Sequence, residues 1–208
     1  MDLSEPGRGL AGGLTVPILR ALAGRSSPAT AAQLTRVAGA GTEAGVRRAL
    51  ERLAAHGLCA SEELGGRVLF TLNRDHVLYG AVAALLKADA ELPRRLEREL
   101  ATWDPLPSSA VLFGSAARGD GNLGSDVDVL LIRPPRLTGR LQQEWLRQVH
   151  ELRGAVLRWT GNRLQVLDWT VPVLQQHDRS GELLVKAILA EGLTVAGSPL
   201  AALLRAAG

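Results

Sequence analysis

The sequence predicts an α+β fold in two parts, a helical N-terminal domain that ends in a short hairpin and a C-terminal domain with a mixed sheet and flanking helices. Three amphipathic helical patterns, followed by two strand patterns around Gly65-Gly66, predict the first part. Apolar strand patterns that alternate with helical patterns after residue 105 predict the second. With 208 residues, the chain is long enough for one large domain or two small ones.

The composition is that of a globular protein in a reducing compartment. Hydrophobic residues make up 46% of the chain and aromatic residues 3%, so the core is expected to consist mainly of Leu, Val and Ala. The single cysteine, Cys59, excludes an internal disulfide. No apolar run approaches the roughly 20 residues of a membrane span, and residues 1–7 lack the basic start of a signal peptide. We therefore expect a cytoplasmic protein without a membrane partner.

The net charge of +3 is a mild basic bias that is carried almost wholly by arginine. Lys87 and Lys186 are the only lysines in the sequence. Such a balance permits nucleic-acid binding without requiring it. A GC-rich genome also produces an excess of arginine and alanine, and this is the simpler explanation of the overall balance.

The N-terminal helices are delimited by capping residues and glycine. Thr30 and Thr42 can each accept a hydrogen bond from the first turn of the helix that follows. Gly57 is expected to end the third helix. Residues 1–13, which are rich in glycine, are expected to be flexible. The predicted elements are helices over residues 15–23, 31–38 and 42–56 and strands over residues 58–62 and 67–72.

This order of elements is typical of a winged helix-turn-helix, and residues 14–74 resemble bacterial winged-helix regulators of the MarR and ArsR kind. The resemblance implies a homodimer that binds double-stranded DNA, with the third helix in the major groove and the hairpin as a wing. Residues 1–75 carry nine arginines against seven acids, a weak basic footprint. The alternative is a module for dimerisation or protein binding. The DNA-binding candidates are Thr42, Glu43, Arg47 and Arg48 on the third helix and Arg67 at the hairpin turn.

A long helix is predicted to connect the two domains. Residues 75–100 carry apolar side chains at helical spacing, with a bend expected at Pro93. The expected domain limits are 1–75 for the winged helix-turn-helix, 76–104 for the linking helix and loop, and 105–208 for the second domain. The second domain is predicted to contain strands at residues 110–113, 127–132, 163–169 and 193–196, and helices at residues 137–159, 171–176 and 181–191 and at the C-terminus.

Two carboxylates at the start of one predicted strand indicate a metal site. Asp126 and Asp128 are two residues apart, so their side chains point to the same face of a strand. Without a partner they would repel one another and raise one pKa, a penalty that a divalent cation removes. Gly114-Ser115 follows a neighbouring strand and offers free backbone N–H groups to a phosphate. A metal beside a phosphate-binding turn is typical of nucleotide chemistry.

The stretch Gly114-Ser115 … Ser125-Asp126-Val127-Asp128 resembles the signature of the DNA polymerase β-like nucleotidyltransferase superfamily. Arg118-Gly119-Asp120 places the resemblance nearest the minimal nucleotidyltransferases of prokaryotes, and the order of strands and helices extends it over residues 105–200. The fold it implies for the C-terminal domain is the nucleotidyltransferase fold. The implied reaction is transfer of a nucleoside monophosphate from a nucleoside triphosphate to an acceptor hydroxyl.

The resemblance also implies a role for each matching residue. Gly114 lets the backbone approach the triphosphate, and Ser115 donates a hydrogen bond to its phosphates. Asp126 and Asp128 hold Mg²⁺ or Mn²⁺. Arg118 neutralises phosphate charge, or else is an ordinary surface arginine or part of a structural salt bridge. Ser125 is a candidate nucleotide-binding residue, although support of the loop geometry is a simpler role for it.

The sequence does not fix the position of a third carboxylate. Members of the superfamily that are active normally add an acid from a later strand, where it helps to bind metal and accepts the proton of the nucleophile. Asp168 is the only acid on the strand at residues 163–169, but it lies at the strand's end, where a helix cap is an equally good explanation. Gln165 lies mid-strand and on the opposite face. If Gln165 occupies the third position, the site has no base and only binds nucleotide.

Three functions follow as hypotheses. The first is a DNA-binding transcriptional regulator whose second domain binds Mg–NTP and transfers a nucleoside monophosphate to a protein or small-molecule hydroxyl. The second is an antitoxin-like enzyme that transfers AMP to a toxin or another protein acceptor, with the winged helix serving dimerisation. The third is a regulator with a catalytically silent domain that senses a nucleotide.

Overall fold

The chain folds into two units, as a computed structural model that describes residues 1–11 and 13–206 shows. The first unit runs from Glu5 to Ala88. The second contains Met1–Ser4 together with the chain from Asp89 onward. Each unit has a hydrophobic core of its own. The short segment before Glu5 therefore belongs to a different unit from the residues that follow it.

The first unit contains four helices and three strands within its described residues. Its sheet is antiparallel, with strand order β1-β3-β2. Both predicted caps are confirmed, because the Thr30 and Thr42 side chains accept backbone hydrogen bonds from Gln33 and Gly45. The elements are α1 (Thr15–Ala23), β1 (Ala29–Thr30), α2 (Ala31–Ala38), α3 (Glu43–Ala55), β2 (Cys59–Leu64), β3 (Arg67–Leu72) and α4 (Tyr79–Leu86), with a 3₁₀ turn at Pro6–Gly9.

The core of the first unit joins the three leading helices to the hairpin. Ile18 from α1, Leu34 from α2 and Leu50 from α3 are fully buried. Phe70 from β3 packs against the same cluster. Within each helix the buried side chains recur at spacings of three and four residues, so they lie on one face. The opposite face of α3 stays exposed.

The predicted long helix at residues 75–100 is divided in the structure. α4 ends at Leu86, a 3₁₀ turn covers Ala88–Ala90, and α5 covers Glu91–Leu100. The reason is packing, since Val82 belongs to the core of the first unit whereas Leu96 belongs to the core of the second. The bend expected at Pro93 is absent because this residue lies in the first turn of α5, where a missing N–H breaks no helical hydrogen bond.

The second unit is a four-stranded mixed sheet with flanking helices, which confirms the predicted fold class. The strand order is β6-β5-β4-β7, with β5 and β6 parallel and the other pairs antiparallel. Its elements after α5 are β4 (Ser109–Phe113), α6 (Gly114–Arg118), β5 (Val127–Ile132), α7 (Gly139–Thr160), β6 (Leu164–Trp169), α8 (Val171–Arg179), α9 (Leu183–Glu191), β7 (Leu193–Gly197) and α10 (Leu200–Arg205).

The two faces of this sheet carry separate cores. Val129 and Leu131 of β5 pack on one face with Trp145 of α7. Leu130 and Ile132 of the same strand pack on the other face with side chains of α8 and α9. Because successive residues of a strand alternate between faces, Asp128 is directed to the face of Leu130 and Ile132.

The longest helix, α7, has 22 residues. Arginine and glutamate side chains, among them Arg147 and Glu151, occupy its exposed surface. Within the described ranges, every helix is too short or too polar to pass through a lipid bilayer.

Candidate functional site

Strand pairing brings the predicted phosphate turn and the acid pair together. Asp126 immediately precedes β5, and Asp128 is its second residue. In the antiparallel register Asp128 lies opposite Phe113, the last residue of β4. The chain then turns at Gly114 into the short helix α6. Four residues that are up to fourteen positions apart in sequence thus form one cluster: Gly114, Ser115, Asp126 and Asp128.

Gly114 is in direct contact with the second carboxylate. Its φ of +69° lies in the left-handed region that side chains other than glycine rarely adopt. A Cβ atom at this position would lie 2.7 Å from Oδ2 of Asp128. Any larger residue would therefore displace the carboxylate as well as strain the turn. The backbone of Gly114 consequently lies close to the carboxylate of Asp128.

The loop between α6 and β5 folds back over the turn. The Oγ atom of Ser125 accepts a hydrogen bond of 2.9 Å from the backbone N–H of Asn122, so Ser125 supports the loop. Ser115 lies beside the same loop, because a Cβ atom added to Gly121 would be 3.0 Å from its Oγ. The hydroxyl of Ser115 therefore lies close to the backbone of Gly121 in this loop.

The acid pair carries an electrostatic cost in the absence of a cation. Burial raises the pKa of Asp128, and the neighbouring charge of Asp126 raises it further. Both side chains are half-buried. Carboxylate oxygens are ligands that Mg²⁺ and Mn²⁺ prefer, so the pair could supply part of a metal site. In the described part of the chain, no group of three or more His, Cys, Asp or Glu side chains is placed to hold a metal ion.

Gln165 occupies the place on β6 that faces the acid pair. It lies opposite Asp128 in the parallel register of β5 and β6. Its Nε2 atom donates a hydrogen bond of 3.2 Å to Oδ2 of Asp126. The side chain next to the two carboxylates is therefore a neutral amide, which satisfies one carboxylate oxygen without adding negative charge.

Asp168 lies away from this cluster. It pairs in register with Leu131, three residues along β6 from Gln165, which corresponds to roughly 10 Å. Its side chain is on the opposite face of the sheet, where Oδ2 accepts a hydrogen bond of 3.1 Å from Nε1 of Trp145. Arg133 forms an ion pair of 3.0 Å with the same carboxylate. The structure thus brings Gln165, and not Asp168, to the acid pair.

Arg118 is engaged by two carboxylates at the end of α6. Its Nε and Nη2 atoms donate to the two oxygens of Asp120, at 2.9 and 3.3 Å. Its Nη1 atom donates to Glu191 of α9 at 3.2 Å. This is the salt-bridge interpretation that the sequence left open for Arg118. Glu191 is 73 positions away in the sequence, and no local pattern indicates that it is the partner.

The five DNA-binding candidates lie on the exposed side of the first unit. Thr42 caps α3, and Glu43 pairs with Arg47 at 3.1 Å one helical turn later. Arg67 begins β3 beside the hairpin turn. A cleft between α3 and the hairpin is lined in part by Glu43, Arg47 and Arg67. Arg48 lies outside this cleft, on the neighbouring exposed surface of α3.

Comparison with known families assigns part of the second unit. Residues 93–163 match the family model of the nucleotidyltransferase domain. This range contains all four residues of the cluster but covers only about a third of the chain. The match lies within the second unit and does not extend to the first. Comparison with curated protein sequences gives no significant match.

Two solved structures are similar to part of the chain. One is a toxin–antitoxin crystallised with AMP-PNP, with 15% identity, a TM-score of 0.36, and coverage of 55% of this chain and 82% of that one. The other is a mutant of the toxin–antitoxin MntA-HpeT, with 11% identity, a TM-score of 0.33, and coverage of 57% and 81%. At these values the likeness supports no conclusion about activity.

The first prediction concerns the stability cost of the acid pair. The folded protein holds the pKa of Asp128 above its unfolded value. Ionisation of this group therefore destabilises the fold as pH rises from the unfolded pKa to the folded one, and the loss of stability remains at all higher pH. Asp128→Asn should therefore raise the melting temperature at pH 7 in metal-free buffer, and this gain should vanish at strongly acid pH. Asp178→Asn, which removes an exposed charge from the same unit, is the matched control and should show no such gain. An equal or lower melting temperature for Asp128→Asn at pH 7 would contradict the prediction.

The second prediction separates Asp168 from the cluster. Asp168→Ala leaves the buried N–H of Trp145 without its partner, which should lower the free energy of unfolding by about 1–3 kcal/mol in urea denaturation. Gln165→Ala, at an exposed position, should change this free energy by less than about 0.5 kcal/mol. Full stability of Asp168→Ala would show that the contact to Trp145 contributes little.

Proposed function

We propose that the second unit binds a nucleoside triphosphate with Mg²⁺ or Mn²⁺ and transfers the nucleoside monophosphate to an acceptor hydroxyl, releasing pyrophosphate. The observation that carries this proposal is the contact of Gly114 with Asp128 inside a domain that matches the nucleotidyltransferase family. That contact supports the proposal because the turn expected to bind phosphate lies beside the two carboxylates expected to bind the cation. Neither feature alone distinguishes a nucleotide site from a surface turn.

Each residue of the cluster has a role in this proposal. Asp126 and Asp128 hold the cation, which supplies Lewis-acid stabilisation of charge on the phosphates. The backbone of Gly114 lies close enough to Asp128 to meet phosphate oxygens next to that cation. Ser115 donates a hydrogen bond from its hydroxyl to a phosphate. Ser125 keeps the loop in place and needs no contact with the nucleotide.

Transfer also requires a destination for the proton of the acceptor hydroxyl. A protein amide does not accept it at neutral pH, so Gln165 is no general base. The carboxylates available in the described cluster are those that hold the cation. Transfer by this chain is therefore expected to be slow with an ordinary alcohol and faster with an acceptor whose hydroxyl is already acidic.

A catalytically silent nucleotide-binding domain is the second candidate for this unit. The observation that favours it is the same amide, which contacts Asp126 where an active site would profit from a further acid. In that case the bound nucleotide is a signal and pyrophosphate is not released. Binding is common to both candidates, and turnover separates them.

For the first unit we propose a winged helix-turn-helix that binds double-stranded DNA as a homodimer. The order of helices and the three-stranded antiparallel sheet support this, as do the exposed arginines Arg47 and Arg48 on α3 and Arg67 at the hairpin. Residues 5–88 contain ten Arg and Lys against six Asp and Glu, a net charge of +4, whereas the rest of the chain has fourteen against fifteen, a net charge of −1. The basic bias of the protein thus belongs to this unit.

Together these roles give a regulator that responds to a nucleotide or modifies an acceptor. A protein hydroxyl, for instance that of a toxin, is one acceptor class, and a small-molecule hydroxyl is another. In the antitoxin-like alternative the winged helix only dimerises, and DNA binding is absent. A cytoplasmic location belongs to the same proposal.

The third prediction tests nucleotide binding and turnover. With Mg²⁺ and ATP at about 100 times the dissociation constant, the second unit should gain about 2.7 kcal/mol of stability, measured by thermal shift. Asp126→Ala combined with Asp128→Ala should abolish this gain because the cation loses both protein ligands. Asp178→Ala combined with Glu182→Ala is the matched control for the lost charge and should retain it. If neither ATP nor another nucleoside triphosphate stabilises the wild-type protein, the nucleotide proposal fails.

Turnover is measured in the same samples as pyrophosphate release and as label transferred from α-labelled ATP to protein. Gln165→Glu adds a carboxylate beside Asp126 and should increase any transfer at least tenfold. Release by the wild-type protein that is lost in the double aspartate variant supports the transferase. Binding without release, in both wild type and Gln165→Glu, supports the silent candidate.

The fourth prediction tests DNA binding by the first unit. A fragment from the protein's own promoter should bind with an affinity that falls steeply between 50 and 200 mM salt. Arg47→Ala combined with Arg48→Ala should weaken binding about tenfold or more and reduce the salt dependence, because two cations are lost from α3. Arg94→Ala combined with Arg98→Ala removes the same charge from the other unit and should leave binding unchanged. Binding that is insensitive to the α3 pair would remove this helix from the interface.

A further inference from the structure

A buried asparagine anchors the loop that carries Asp126. Asn162 lies between α7 and β6 and is only 3% exposed. Its Nδ2 atom donates to the backbone carbonyl of Ser125 at 2.8 Å and reaches that of Asn122 at 3.4 Å. Its Oδ1 atom accepts a hydrogen bond of 2.7 Å from the amino nitrogen of Met1. All polar atoms of this side chain are therefore used, as a buried amide requires.

The loop itself has few other attachments to the unit. Its internal hydrogen bonds close a turn, with Asn122 and Ser125 as the two ends. Outside the turn, the backbone N–H of Ser4 donates to the carbonyl of Gly121 at 2.7 Å. The side chain of Leu3 lies against the same glycine and is buried in the core. Asn162 supplies a side-chain attachment at Ser125, the residue that precedes Asp126.

The position of this attachment determines the freedom of Asp126. The carbonyl of Ser125 belongs to the peptide group that joins Ser125 to Asp126. On the other side, the N–H of Val127 donates to the carbonyl of Arg163, the residue after Asn162. Asp126 is thus held between two contacts to one short segment, Asn162-Arg163. Without the first contact, the main chain before Asp126 would lose this anchor, although the side chain would keep its hydrogen bond from Gln165. Ordering the main chain at the cation would then cost conformational entropy on binding.

We infer that Asn162 is a positioning residue for the metal and nucleotide site, because it fixes the main chain on the N-terminal side of Asp126. This inference rests on the proposed nucleotide binding, but the anchoring itself is a property of the protein without nucleotide. Asn162 touches no phosphate or cation in this role. It acts through Ser125 and keeps Asp126 at its distance from Asp128.

The test measures loop order and nucleotide affinity in the full chain. Hydrogen–deuterium exchange at residues 119–127 is compared for the wild type and Asn162→Ala without nucleotide, and the dissociation constant for Mg–ATP is measured by calorimetry. We expect exchange in this segment to become at least tenfold faster, and the dissociation constant for Mg–ATP to rise about tenfold. Asn73→Ala is the matched control, since the Asn73 amide holds the carbonyl of Gly57 at 2.8 Å in the first unit. It should change neither readout.

The outcomes separate the anchor from the nucleotide proposal. Faster exchange at residues 119–127, with exchange in the first unit unchanged, together with weaker Mg–ATP binding supports the inference. Unchanged exchange, or faster exchange with wild-type affinity, overturns it. If the wild-type protein binds no nucleotide while Asn162→Ala still loosens the loop, the proposed function fails and the anchor stands. If the alanine variant does not fold, Asn162→Leu, which is similar in size and lacks the donors, is measured in the same way.

Discussion

The pairing of β4 with β5 is the constraint on which the candidate site depends. Its antiparallel register ends at Phe113 and Asp128, so the chain must leave β4 beside the second carboxylate. Only a residue without a side chain fits at that point, and Gly114 provides it. A shift of one residue would turn Asp128 to the other face of the sheet and would separate it from the turn. The apolar residues of β5, which are buried on both faces, fix this register and with it the chemistry.

The same cluster shows how a binding site can oppose stability. The core on either side of β5 is apolar and fully buried, whereas the two carboxylates at its start are half-buried and repel each other. Packing of the sheet therefore holds together groups that would separate in a free peptide. In the proposed function, a bound divalent cation would supply the missing positive charge. This repulsion between the two carboxylates would favour a site with a bound cation over an empty one.

Local patterns predicted the capped helices, the mixed sheet and the cluster around Gly114, because their signals lie within a few residues of one another. The contacts that depend on sheet register or on distant residues were beyond such patterns. Asp168 and Gln165 point to opposite faces of the strand. Which of them faces the acid pair depends on the register of β5 and β6, which the sequence does not specify. Arg118 pairs with Glu191, and Ser125 accepts a hydrogen bond from Asn162. Both partners lie in segments far along the chain. The division of the helix at residues 75–100 likewise follows from two separate cores that compete for its apolar side chains.

The amide at Gln165 can be changed to a carboxylate by a single mutation. Glutamine and glutamate codons differ only at their first base, so a single point mutation converts the neutral amide beside Asp126 into an acid. The change would add a third negative charge at the acid pair and remove the hydrogen bond to Asp126, but it would disturb no core packing, since the side chain is exposed and the strand pairing uses only its backbone. In the proposed function, one such mutation would add a proton acceptor to a site that now has none beside Asp126. The fold would not need to change, because only one exposed side chain differs.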